Sequence, residues 1–214
     1  KGFTLLELAI VLVIIGIILG AILKGQELIN NAKAKRLLND MKGLASMQYT
    51  FYDRYGRFAG DCDNNGDIDV DYLAADVNSF DNSDSNGSTP YFCYTGTPAA
   101  SNDPDTQWFE LQKANLVPNV AHNRDLVKHS FSGALYSAKY TVTTPSYKAY
   151  NAVVATQVPC YAAKVIDNSI DNGIDAGKGS IREYTGTSLS TTTNWSCAKE
   201  DDFVTVVYFF DRRP

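Results

Sequence analysis

The sequence predicts an α+β chain: one long N-terminal helix packed on a small antiparallel β-sheet domain with long loops. Three observations carry that prediction. An unbroken apolar run, LAIVLVIIGIILGAIL at residues 8–23, passes without a turn signal into an amphipathic stretch. The segment FVTVVYFF at residues 203–210 is the best strand in the chain. Between them, from Gly60 onward, Asp, Asn, Gly, Ser and Thr crowd the sequence and read as loops joining short elements.

The helix comes first. Phe3, Leu5 and Leu6 extend the apolar run, and Lys1 and Lys24 bound it. As a helix, residues 3–23 rise about 31 Å, close to the hydrocarbon thickness of a bilayer. A signal peptide would show a small-x-small site; here the run continues into a polar helix instead. Glu7 sits inside the apolar stretch, where an ionisable group is expensive and marks a function with a partner. Beyond residue 23, Leu28, Ala32, Leu37, Leu38, Met41, Leu44, Ala45 and Tyr52 recur at three- and four-residue intervals, with Lys33, Lys35, Arg36, Asp40 and Lys42 on the other side. That period predicts one helix to about Tyr55, roughly 75 Å long. Gly16, Gly20 and Gly25 each lower helix propensity by about 1 kcal/mol relative to alanine. They suit either local melting or close approach of neighbouring helices. Tyr49, Phe51, Tyr52, Tyr55 and Phe58 are expected to pack the helix end against the sheet rather than to form a conducting stack.

In the remainder, residues 108–114 and 161–170 read as short helices, the first capped by Asp105 or Thr106, and residues 140–143 and 152–155 as short strands. Residues 1–58 hold eight Lys/Arg against four Asp/Glu, and residues 59–214 hold eleven against twenty, so an overall charge of −5 hides a basic helix and an acidic domain. An acidic domain does not attract phosphate backbones, so no nucleic-acid partner is expected. Four cysteines, Cys62, Cys93, Cys160 and Cys197, all lie outside the helix without a CxxC pair. They predict two disulfides in an oxidising compartment. Chain order suggests Cys62–Cys93 and Cys160–Cys197, although three connectivities are open.

Residues 61–71 read DCDNNGDIDVD. Asp61, Asp63 and Asn65 alternate before Gly66, then Asp67 and Asp69 follow. This resembles the start of an EF-hand-type loop, with calcium as the natural hard, oxygen-seeking ion. The twelfth-place glutamate is missing and Tyr72 stands there, so Asp71 or a remoter carboxylate would complete the shell. A second acidic stretch, Asp167, Asp171, Asn172, Gly173 and Asp175, lacks that alternation and reads as a helix C-terminus and turn. His122 and His129 are the only histidines, and no hydrolase elbow, P-loop or dinucleotide fingerprint occurs, so no enzyme is expected.

Lys1-Gly2-Phe3-Thr4-Leu5-Leu6-Glu7-Leu8, followed by the apolar run, closely resembles the processing motif of type IV pilins and type II secretion pseudopilins. The resemblance implies the type IV pilin fold, cutting by a prepilin peptidase between Gly2 and Phe3, and N-methylation of Phe3. It implies three parts: residues 1–2 as the end of a leader, 3–58 as the long helix with a filament-core half (3–23) and an amphipathic half (24–58), and 59–214 as the globular domain. The resemblance further implies that within a filament the Glu7 carboxylate can pair with the α-amine of the next subunit. An unpaired buried charge there costs several kcal/mol, so the pair selects one stagger. Many pilins carry a proline near position 24, which this chain lacks. The implied partners are other copies of the chain, the prepilin peptidase, an assembly platform and the inner membrane before assembly. The expected function is a structural pilin of an extracellular type IV pilus. The alternatives are a pseudopilin in a short periplasmic fibre, and a minor adhesive or ligand-binding subunit with residues 76–106 as its contact surface. Chain length leans towards the pilus, and the calcium-like loop, a feature also of some pseudopilins and pilins, leans back.

Overall fold

The computed structural model describes residues 2, 4–71, 73–80, 93, 104–142 and 148–211 of the 214-residue chain. Helix α1 runs Leu5–Tyr55 without a break, through Gly16, Gly20 and Gly25. At 1.5 Å per residue, its 51 residues span about 76 Å. Gly56, with φ of +75°, stops it in the left-handed conformation that favours glycine, and its amide closes on the Tyr52 carbonyl.

The two halves of α1 live in different surroundings. From Thr4 to Leu23 every described residue is exposed. From Ala34 onward one stripe is buried: Ala34, Leu37, Leu38, Met41, Leu44, Ala45, Gln48 and Phe51. This is the three-to-four spacing that aligns side chains on one helix face. That face covers a four-stranded antiparallel sheet of order β1-β2-β4-β3, made from β1 (Leu135–Val142), β2 (Lys148–Pro159), β3 (Ile181–Tyr184) and β4 (Phe203–Phe209). Helix α4 (Cys160–Asp171) follows β2 directly and packs beside α1. Two short helices, α2 (Thr106–Lys113) and α3 (Arg124–Val127), and a 3-10 turn at Val77–Ser79 complete the described elements. The arrangement is α+β, a long helix on an antiparallel sheet, consistent with the type IV pilin fold.

Several local expectations need correction. Strands β1 and β2 reach well beyond residues 140–143 and 152–155, and residue 143 lies outside the described residues. Polar residues buried on these strands, Ser137, Asn151 and Thr156, interrupt the apolar pattern that delimits a strand by eye. Strand β3 has no apolar alternation because its second inward residue is Glu183, buried and bonded to the Ser196 amide. Asp105 does stand at the N-cap position of α2, but its side chain makes no cap; it accepts from Asn123 Nδ2 at 2.8 Å instead. Of the aromatic set at the helix end, Phe51 and Phe58 are buried, whereas Tyr49, Tyr52 and Tyr55 stay 41–52% exposed. Phe210, from the far end of the chain, joins them edge-on, 5.6 Å from Tyr49 and 5.9 Å from Phe58.

Buried amides fasten the loops to this frame. Gln48 Nε2 reaches the Ala59 carbonyl and Ser137 Oγ, and its Oε1 accepts from the Ala59 amide at 2.9 Å. Gln107 pairs with both backbone groups of Ser137 at 2.7 Å, as a neighbouring strand would. The Arg57 guanidinium meets the buried Glu110 carboxylate, with Nη1 at 2.9 Å from Oε2, and Glu110 also accepts from the Gly60 amide. The chain leaving α1 is thereby held to α2. Both disulfides are formed: Cys62 with Cys93, and Cys160 with Cys197.

Candidate functional site

Among the described residues, the N-terminus of α1 and the acidic loop that follows it hold the residues singled out in the sequence.

At the helix start, Thr4 is the N-cap in extended conformation. Its hydroxyl accepts from the Glu7 amide at 3.2 Å. Glu7 Oε2 in return accepts from the Thr4 amide at 2.8 Å and the Thr4 hydroxyl at 2.9 Å. This is a reciprocal capping box, which satisfies donors that the first helical turn leaves open. Sequence reading singled out Glu7 for its charge and missed Thr4 as its partner, although the Thr-x-x-Glu spacing was the signal. Phe3 lies outside the described residues. Beyond Glu7, α1 presents Leu8, Ile10, Val11, Leu12 and their successors to the outside, and it is long and apolar enough to cross a membrane. A bare apolar surface of this size demands lipid or a protein partner.

In the acidic loop, carboxylate oxygens of Asp61, Asp63 and Asp69 lie within 4.8 Å of one another. Asp61 is fully buried and accepts from the amides of Asn65 and Gly66 at 3.2 and 3.0 Å. Gly66 makes that approach possible with φ of +91°. Asp69 is fixed by the Cys62 amide at 2.8 Å, and Asp63 by Asn65. Asn65 turns its side-chain oxygen to the Asp67 amide at 2.8 Å, and neither Asp67 nor Asp71 joins the cluster. Tyr72 is outside the described residues. The loop is clamped from the sheet: Asn151 on β2 accepts from the Ile68 amide and donates to the Gly66 carbonyl, both at 2.8 Å.

The electrostatics follow from burial. Desolvation pushes Asp61 up to about 6, with the charges of Asp63 and Asp69 adding to it and the two loop amides opposing it. Asp69 is raised too, by burial and then Asp63, while Lys139 on β1 pulls the other way from 3.7 Å. Lys139 was not foreseen from sequence. It supplies one positive charge to three carboxylates, so the cluster can hold a metal ion.

Residues 1–23 match the family model described as the prokaryotic N-terminal methylation motif. The chain has a prepilin-type N-terminus. That motif is the hallmark of type IV pilin and pseudopilin precursors, and it supports a pilin-like or pseudopilin precursor. An apolar N-terminal helix of this kind fits an inner-membrane precursor, processed by a prepilin peptidase and assembled into a surface pilus or a pseudopilus. Neither the curated proteins nor the solved structures contain a match to the chain.

Proposed function

We propose that this chain is the structural pilin of an extracellular type IV pilus, polymerising through α1. The carrying observation is the exposed apolar half of α1 behind a prepilin-type N-terminus. In this reading the peptidase cuts after Gly2, Phe3 becomes the methylated N-terminus, residues 3–58 form the assembly helix and 59–214 the displayed domain. Glu7 is the assembly residue. Within the subunit both of its capping bonds go to Oε2, which leaves Oε1 to meet the Phe3 amine of a neighbour without dismantling the cap. In a greasy filament core that pair favours one register over others.

The acidic cluster supports a second element, a structural Ca²⁺ held by Asp61, Asp63 and Asp69. Calcium prefers carboxylate oxygens in flexible loops, and Asp61 is too buried to bear its charge easily without a cation. The same loop favours the alternative of a secretion pseudopilin in a short periplasmic fibre. The adhesive alternative rests on residues 76–106, most of which lie outside the described residues.

Cryo-electron microscopy of filaments sheared from the cell surface tests the leading reading. A micrometre-scale polymer of this chain, with Phe3 of one subunit beside Glu7 of the next, supports it, and Glu7→Val should insert in the membrane yet give few or no filaments. Surface filaments devoid of this chain would turn the assignment to a pseudopilin, and normal filaments from Glu7→Val would remove the register role.

A further inference from the structure

Asp167, on the last turns of α4, is fully buried. Its Oδ2 accepts twice, from the Asp175 amide at 2.8 Å and from the Trp195 indole Nε1–H at 3.2 Å. Its Oδ1 is buried with no hydrogen-bond partner. A desolvated carboxylate oxygen without a donor is costly, and more so when the group is ionised.

The neighbouring charges do not relieve it. Asp171, one turn further along α4, spends its carboxylate on the Ser180 and Ile181 amides at 2.8 Å. Asp175 accepts from the Gly177 amide at 3.1 Å and has Lys178 at 4.0 Å. Arg182 on β3 feels both Asp171 and Asp175. Two cations thus answer two carboxylates, and Asp167 is the third. The other charge nearby on β3 is Glu183, which is buried on the Ser196 amide. The buried residues of α1, β2 and β4, which also pack on α4, include no ionisable group.

A metal ion is a poor occupant. The oxygens of Asp171 are held by backbone amides, and among the described residues the acidic group whose ligand atoms converge is Asp61–Asp63–Asp69. A proton fits. We propose that Asp167 is a proton-operated clasp: with its carboxyl neutral, the 172–179 loop and Trp195 can close over it on α4, and once it is ionised the buried charge favours a locally open form in which water reaches the carboxylate. The segment lies inside the ring closed by Cys160–Cys197, with Trp195 two residues before the bridge. Loosening is therefore local, and the strand core stays tied.

Burial raises Asp167 to about 6, Asp171 and Asp175 add to the shift, and the Asp175 amide and Trp195 oppose it. The unfolded chain releases this proton near ordinary aspartate values, so the folded form binds it more tightly. The closed form is favoured most below the ordinary aspartate value of 3.8, and that preference is lost as pH rises towards and through about 6.

The Trp195 indole proton reports on this directly. In the full chain in detergent micelles, labelled with ¹⁵N at tryptophan, its resonance should move between about pH 5 and about pH 7.5 with a midpoint near 6. Asp167→Asn should flatten the titration. The Asp167 carboxyl carbon of the unmodified chain, followed by ¹³C, should give the same midpoint, which guards against a variant that folds badly. A Trp195 signal that does not titrate, one that titrates equally in Asp167→Asn, or one that moves with chelator rather than pH overturns the clasp.

Discussion

Asp61 illustrates how one buried side chain sets a condition on the whole loop. Its folded value of about 6 lies above the ordinary aspartate value of 3.8. The folded state therefore holds the proton more tightly than the unfolded chain. Without a metal, stability is greatest below the unfolded value and is lost as pH rises towards and through about 6. A cation at the cluster replaces the proton and reverses that loss. Melting at pH 7.5 should therefore rise on adding calcium and fall on chelation. Asp61→Asn should be insensitive to both and at least as stable as the chelated parent. A melting temperature indifferent to calcium and chelator would remove the cation from this loop. The side chains in this cluster were legible in sequence as an alternation of oxygen ligands before a glycine. Which carboxylates converge was not, because Asp67 carries the same chemistry as Asp63 and Asp69, and the choice between them is made by backbone turns and by Lys139 and Asn151 arriving from the sheet.

At the scale of elements, legibility followed the source of stability. Helix α1 announces itself because its period comes from its own residues, apolar throughout at first and then striped. Strand β4 is apolar enough to need no partner to be seen. Strand β3 hid because its inward positions are Ile181 and Glu183, and a buried glutamate is tolerable only when Ser196 comes back along the chain to meet it. The early part of β1 hid for the same reason, since Ser137 is satisfied by Gln107 and Gln48, residues far away in sequence. Long-range polar satisfaction of this kind leaves no periodic trace. The C-terminal elements depend on a covalent tie as well. Cys160 opens α4 and Cys197 lies in the loop before β4, 37 residues apart. Closing a loop of that length removes denatured-state entropy equivalent to about 4 kcal/mol. Replacing both cysteines by alanine should lower unfolding free energy by about 2–4 kcal/mol in urea titrations, with native-like far-ultraviolet dichroism in water. A variant as stable as the parent would show that packing of α4 on α1 already fixes this region.

The molecule as a whole divides its labour along α1. Its first half buries nothing within the subunit, and its second half supplies one wall of the core, so the two should be separable. The exposed surface of residues 5–23 contributes no stability to an isolated subunit and only creates a demand for lipid or for other helices. The net negative charge of residues 59–214 favours solubility of that part. A chain beginning at residue 29, upstream of the first fully buried side chain at Ala34, should stay monomeric in size-exclusion chromatography without detergent. It should melt within a few degrees of the full chain in micelles, because the core residues of α1, α4 and the sheet are all retained. Its loss should be of assembly alone: no incorporation into filaments, since the polymerising surface is gone. Aggregation or a collapse of the melting temperature would mean that the apolar half stabilises the domain in place, and the separation of an assembly helix from a displayed domain would have to be abandoned.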